Sequence, residues 1–259
     1  VEPAAALCFT VSYDAPPKLQ EVLHHVVGQH GHLNWAVPLR VAPAAMCNRV
    51  AINVPKRILA DLPSLVRRLR ERLPDVDVQG ADVADRPFAA ERRQAERYIA
   101  LVPWQCCGAA PANSSAAPTS TASAERVGCP TPFTSLEAAR YVDEATLRRM
   151  AHAARRAVEL KDAGWLKTAK LGRVRCSAQD APRAAWCRVS ISMRQPEPLF
   201  VNTLVAALVA HARGALDAAA LDAVFEGSNL PNLAPLPQQF VVLAGPVMTN
   251  FESKNNLGK

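Results

Sequence analysis

Residues 37–54, VPLRVAPAAMCNRVAINV, read as two strand segments joined by a loop of small, mostly uncharged residues. The apolar run into Arg40 and the alternation in NRVAINV are strand signals, and the Ala- and Pro-rich stretch between them prolongs neither. Arg40 and Arg49 are the only charges in the stretch. No Asp or Glu occurs anywhere between Glu21 and Asp61, so the loop has no carboxylate in any register.

The flanking sequence gives this loop its setting. ALCFTVSYD, residues 6–14, alternates as a strand and is closed by Ala-Pro-Pro. From Lys18 the apolar positions Leu19, Val22, Leu23, Val26 and Val27 follow helical spacing as far as Gly28. Downstream, LPSLVRRLRERL places Leu62, Leu65, Val66, Leu69 and Leu73 on one side of a helix and arginines on the other. DVDVQGADV and RYIALVPW then read as strands. The order β-α-β-β-α-β-β predicts an α+β fold in which two helices cover one face of an antiparallel sheet.

Residues 108–125, GAAPANSSAAPTSTASAE, are too poor in apolar side chains to fold by burial. They predict a flexible linker or disordered insertion over 108–128, between an N-terminal half, 1–107, and a C-terminal half, 129–259. The second half predicts a helix from Asp143 with Leu147, Met150, Ala151, Ala154 and Val158 inward. Strands at GRVRCSA and AWCRVSISM follow, then an apolar helix from Leu199, a short helix LDAAALDAVFEG and a closing strand QQFVVLAGPVM. The halves share an inventory without a strict repeat.

The chain has 259 residues, 49% of them hydrophobic and 20% charged, an ordinary globular balance with enough length for a real core. Its net charge of +7 is weak evidence for a polyanionic partner, but the arginines cluster: Arg67, Arg68, Arg70 and Arg72 on one helix, then Arg92, Arg93 and Arg97. The helix arginines read equally as a solvated face. No apolar run reaches the roughly 20 residues of a membrane helix, so no membrane association is expected. Seven cysteines in irregular spacing predict reduced thiols in a non-secretory compartment rather than a disulfide framework. Cys106-Cys107 is no zinc pair, His24 and His25 lack a third ligand, and neither cofactor nor metal is expected. Trp35, Trp104, Trp165 and Trp186 are expected to be core anchors.

Read together, these segments resemble the tRNA pseudouridine synthase A family. SYDAPPKLQEVLHHVVG is similar to that family's first-strand end, Tyr-Asp-Gly turn and helix, and AERYIALV to its tyrosine strand, with Tyr98 at the pocket tyrosine. APRAAWCRVSIS resembles its arginine strand, with Arg183 the match. FVNTLVAALVAHARGALDAAALDAVFEG and LAPLPQQFVVLAG resemble its core helix and closing turn and strand. The family's active loop runs Gly-Arg-Thr-Asp; here Leu-Arg-Val-Ala stands in it, so Arg40 matches the arginine and Ala42 occupies the aspartate position. A methyl group can neither attack a sugar nor remove its proton. Asp14, in the preceding turn, is the nearby carboxylate, and capping its own turn is its simpler role.

The resemblance implies two ferredoxin-like halves with antiparallel sheets joined around a central basic cleft, of pseudouridine synthase type. It implies an RNA-binding pseudoenzyme with no catalytic residue, whose phosphate and base contacts come from Arg40, Arg49, Arg92, Arg93, Arg97, Tyr98, Arg173, Arg175 and Arg183. The partners it implies are structured RNA, ribosomal RNA foremost, with ribosomal or assembly-factor proteins. The expected setting is the mitochondrial matrix, as a component or assembly factor of the mitochondrial ribosome's large subunit; cytoplasm or nucleus is the alternative. An active uridine isomerase using Asp14, and a protein scaffold that touches no RNA, are the competing readings.

Overall fold

The computed structural model describes residues 4–15, 17–28, 32–84, 93–107, 144–181, 184–194, 200–227, 233 and 235–248. In chain order its elements are β1 (Ala4–Tyr13), α1 (Leu19–Val27), β2 (Asn34–Trp35), β3 (Ala45–Pro55), α2 (Leu62–Arg72), β4 (Val76–Ala84) and β5 (Arg93–Pro103). Then come α3 (Glu144–Glu159), α4 (Gly164–Thr168), β6 (Leu171–Ala181), β7 (Ala184–Met193), α5 (Phe200–Ala212), α6 (Ala218–Glu226) and β8 (Val241–Met248). The architecture is α+β, with mixed, mostly antiparallel strand pairing. Two compact units emerge: Val1–Arg97 with Val242–Lys259, and Tyr98–Val241. The boundary thus falls inside β5 rather than at residue 107, and the expected linker at 108–128 lies outside the described residues.

In the first unit β1 is central, antiparallel to β3 on one side and β4 on the other, and β2 pairs antiparallel with β3. Period-two alternation puts Leu7, Phe9 and Val11 of β1 on the same face as Ile52 and Val50 of β3, and all five are buried. Leu19 and Leu23 of α1 and Leu65 and Leu69 of α2 add buried apolar stripes, each such side chain contributing roughly 1.5–3 kcal/mol. The α2 helix starts where the Asp61 carboxylate accepts the Ser64 N–H at 3.3 Å, with Pro63 in the first turn. Its arginines face outward, and Arg70 reaches over to donate twice to the Val78 carbonyl of β4, at 3.0 and 2.7 Å.

The closing strand β8 belongs to this first unit, not to the second half as its place in the sequence suggests. It runs parallel to β3 with Leu243 opposite Ala45, and the Leu243 N–H donates to the Ala44 carbonyl at 3.1 Å.

In the second unit β5, β7 and β6 are neighbours in that order, with β6 and β7 an antiparallel pair, and α3 packs on β6 and α5. Helix α5 is buried on nearly every side, as its apolar sequence predicts. Asn202, its buried polar residue, donates from its side chain to the Leu236 carbonyl at 2.6 Å. A two-pronged ion pair links α3 to α6: Arg156 Nε to Asp222 Oδ1 at 2.7 Å and Nη2 to Oδ2 at 2.8 Å. The short helix α4 has no counterpart among the predicted elements. It is fixed from outside: the Trp165 indole N–H donates to the Val224 carbonyl at 2.6 Å and its ring meets Phe200 edge-on. Gly164 takes φ +46°, and a Cβ there would sit 2.5 Å from the Glu226 backbone.

Candidate nucleic-acid interface

The loop between Trp35 and Ala45 begins earlier than the alternation suggests, and it is tightly held. The strand before it is only Asn34–Trp35, and β3 already begins at Ala45. Between them the Val41 and Ala42 N–H groups both donate to the Pro38 carbonyl, at 2.9 and 3.0 Å, a tight turn that carries Arg40 exposed at its tip. Beneath it lies Asn48, with no exposed surface: its side chain donates to the Val37 carbonyl at 2.8 Å and the Tyr13 hydroxyl at 3.0 Å, and accepts the Val37 N–H at 3.2 Å. The Tyr13 hydroxyl donates in turn to the Ala42 carbonyl at 3.0 Å. Burial pushes the Tyr13 phenol up to about 12, only partly offset by the Asn48 hydrogen bond, so it keeps its proton and remains a donor. Ala42 is 1% exposed, packed under this network.

The chemistry open to the loop follows. It holds no carboxylate, its hydroxyl neighbour is protonated, and Asp14 lies exposed in the turn after β1. Cys8 is no nucleophile either, since burial lifts its thiol to about 11.

Two of the predicted arginines in the first unit have different fates. Arg40 is exposed, whereas Arg49 reaches across β1 to donate to Asp82 of β4 at 2.6 Å, with its side chain 17% exposed. An arginine neutralised and half-buried in this way serves the sheet, not a phosphate. On β5, Arg97 is exposed while Tyr98 is 2% exposed, because consecutive strand residues project to opposite faces; the pair does not share a surface. Arg92, the Arg93 side chain and Arg183 lie outside the described residues.

In the second unit the predicted Arg173 and Arg175 come together with residues that sequence reading passed over. The β6–β7 register pairs Arg173 with Ser192, Arg175 with Ser190, and Ser177 with Arg188. Those six positions share one face of the hairpin; the arginines and Ser177 are exposed and the other serines half-buried. The opposite face carries Val174, Cys176, Cys187, Val189 and Ile191 toward α3, where Cys176 Sγ lies 3.7 Å from the Met150 carbonyl and Cys187 Sγ 3.5 Å from Met150 Sδ. Arg194 is exposed just beyond β7, and Lys167 and Lys170 just before β6. No Asp or Glu occurs in 171–178 or 186–194, and among the described residues none of these cations is in an ion pair. Diagonal strand neighbours stand roughly 7–8 Å apart. The face is therefore a row of uncompensated guanidinium groups separated by hydroxyls, suited to successive phosphates. Arg188 was legible in principle, as the alternation partner of Arg173 and Arg175 once the two strands are paired.

The six described cysteines are free, and among the described residues no group of three or more His, Cys, Asp or Glu is placed to hold a metal ion. Of the four tryptophans, Trp104 is buried, and Trp35, Trp165 and Trp186 are half-buried. Among the described residues no helix is long and apolar enough to cross a membrane.

No protein-family model matches the chain, and no curated protein does. Among solved structures, the crystal structure of an unknown protein from Galdieria sulphuraria is similar over 83% of this chain and 95% of that one, at 10% identity and a TM-score of 0.25, too slight a likeness to carry an argument.

Proposed function

We propose that the chain is a catalytically inactive, pseudouridine-synthase-like RNA-binding protein that serves a large ribonucleoprotein, the mitochondrial ribosome or the assembly of its large subunit. The observation that carries the binding reading is the face of β6 and β7 on which Arg173, Arg175 and Arg188 stand exposed, with no Asp or Glu over 171–178 and 186–194 and no ion pair to them among the described residues. Such a surface neutralises phosphates and reads no sequence, as a clamp on folded RNA requires. Support for the family reading comes from the resemblance of motifs and from the first unit, whose strand order β4-β1-β3-β2 with two crossover helices is that of a ferredoxin-like half. Support for the loss of chemistry comes from Ala42, closed over by Tyr13 and Asn48.

The test has two arms. Purified protein should bind structured ribosomal RNA with strong salt dependence and form no pseudouridine on traced uridine in transfer or ribosomal RNA. Turnover at an enzyme-like rate overturns the pseudoenzyme reading, and salt-insensitive or absent RNA binding overturns the RNA reading.

A further inference from the structure

A groove of about 590 Å³ opens in the first unit, lined by Pro17, Lys18, Gln20, Glu21, His24, Leu33, Trp35 and Leu39. Its two sides differ in kind. Gln20, Glu21 and His24 are exposed on α1, with His24 one turn on from each of the other two, and Lys18 lies just before the helix. Leu33, Trp35 and Leu39 form the other side, all half-buried. The Trp35 ring is held in place by Tyr13, which it meets edge-to-face at 6.0 Å and 80°, and Tyr13 is itself fixed by Asn48 and the Ala42 carbonyl. A pre-set indole with apolar neighbours on one side and a short row of hydrogen-bonding groups on the other is the make-up of a small-ligand site.

We infer that this groove takes a single unpaired guanine nucleotide, either free or projecting from an RNA strand. A flat ring stacks on the indole and presents its edge to α1. Glu21 selects the base: an ionised carboxylate only accepts hydrogen bonds, and guanine is the base with two adjacent donors, N1–H and N2–H, on one edge. Adenine and cytosine place an acceptor beside their amino group there, and uracil has one donor between two acceptors. Lys18 supplies the positive charge for the nucleotide's phosphate. The groove's own charge, one Lys against one Glu, excludes it as a site for the phosphate backbone at large. The inference stands on this lining and is independent of the arginine face of β6 and β7.

The experiment measures binding of GMP, AMP, UMP and CMP to the full chain by calorimetry, then of a guanine-bearing single-stranded oligoribonucleotide and its duplex. GMP should bind at least tenfold tighter than the other three. Glu21→Gln, on an exposed helix face, should erase that preference without changing the fold; Trp35→Leu should weaken GMP about tenfold or more. Failure of GMP to saturate, or a preference untouched by Glu21→Gln, overturns the inference. If RNA binds and the groove variants leave it and GMP unchanged, the groove proposal falls while the RNA reading stands. If GMP binds as described and neither oligonucleotide does, the groove is a site for the free nucleotide and the RNA-strand arm of the inference falls.

Discussion

At Ala42 the side chain is a methyl group with 1% exposure beneath a turn whose carbonyl already accepts from Tyr13. Of the loop's own two arginines, Arg49 is paired with Asp82 and Arg40 is exposed at the turn tip, so neither is set to meet a buried carboxylate there. Ala42→Asp should therefore cost about 2–4 kcal/mol of stability, read as a lower urea midpoint. The cost should shrink toward acid, because a buried carboxyl takes up its proton early. The variant should form no pseudouridine, since one restored group without its supporting contacts is not placed for catalysis. Asn48→Ala removes the hydrogen bonds that hold Val37 and Tyr13 and strands buried polar groups, a loss of about 3 kcal/mol in the same assay. The absence of any carboxylate from the loop was legible in the sequence because a count of residue types needs no partner. The Asn48 clamp was not, because its partner Tyr13 lies 35 residues away and an asparagine in a strand looks like any solvent-facing alternate.

Elements with strong periodicity were read close to their true bounds. The apolar stripes announced α1, α2 and α3, and alternation announced β6 and β7, because a period is a local property of the chain. Where tertiary contacts decide, the reading failed. The five-residue α4 exists because Trp165 and Gly164 fit against α6, and β2 shrinks to two residues as the chain turns away at Ala36 to be clamped by Asn48. Helix pairing gives the prediction at this scale. The Arg156 guanidinium, through its paired hydrogen bonds, holds the Asp222 carboxyl below its usual range. A depressed folded-state value means stability that is present above the ordinary carboxylate range and lost as pH falls through the folded value. Asp222→Asn should lower the thermal midpoint at neutral pH, and the gap to wild type should close as pH falls below the ordinary carboxylate range, as followed by circular dichroism.

Across the whole chain, the excess of 30 basic over 23 acidic residues is spent unevenly. Arg49, Arg70 and Arg156 are committed to Asp82, the Val78 carbonyl and Asp222, so counting arginines overstates the charge available to a polyanion. The return of β8 to the first unit was equally invisible to a residue count, since a parallel pairing with a strand nearly 200 residues earlier leaves no local signal. What the sequence could not separate was a paired cation from an unpaired one, and affinity for any polyanion turns on that difference. Among the described residues Arg173, Arg175 and Arg188 share one face with no ion pair to them; Arg67, Arg68 and Arg72 are exposed on a helix that also carries Glu71. Replacing Arg173 and Arg175 together by Ala should weaken binding to structured RNA and flatten its log–log salt dependence by about 1.5–2 units, close to one per lost phosphate contact. Folding should change by no more than about 0.5 kcal/mol, because exposed strand arginines outside any ion pair of the described residues hold little of the structure. Arg68→Ala with Arg72→Ala makes the matched comparison, removing the same charge, and should move the slope less. Equal slopes for the two pairs would mean that RNA responds to net charge alone. A larger effect from the helix pair would move the binding surface to α2.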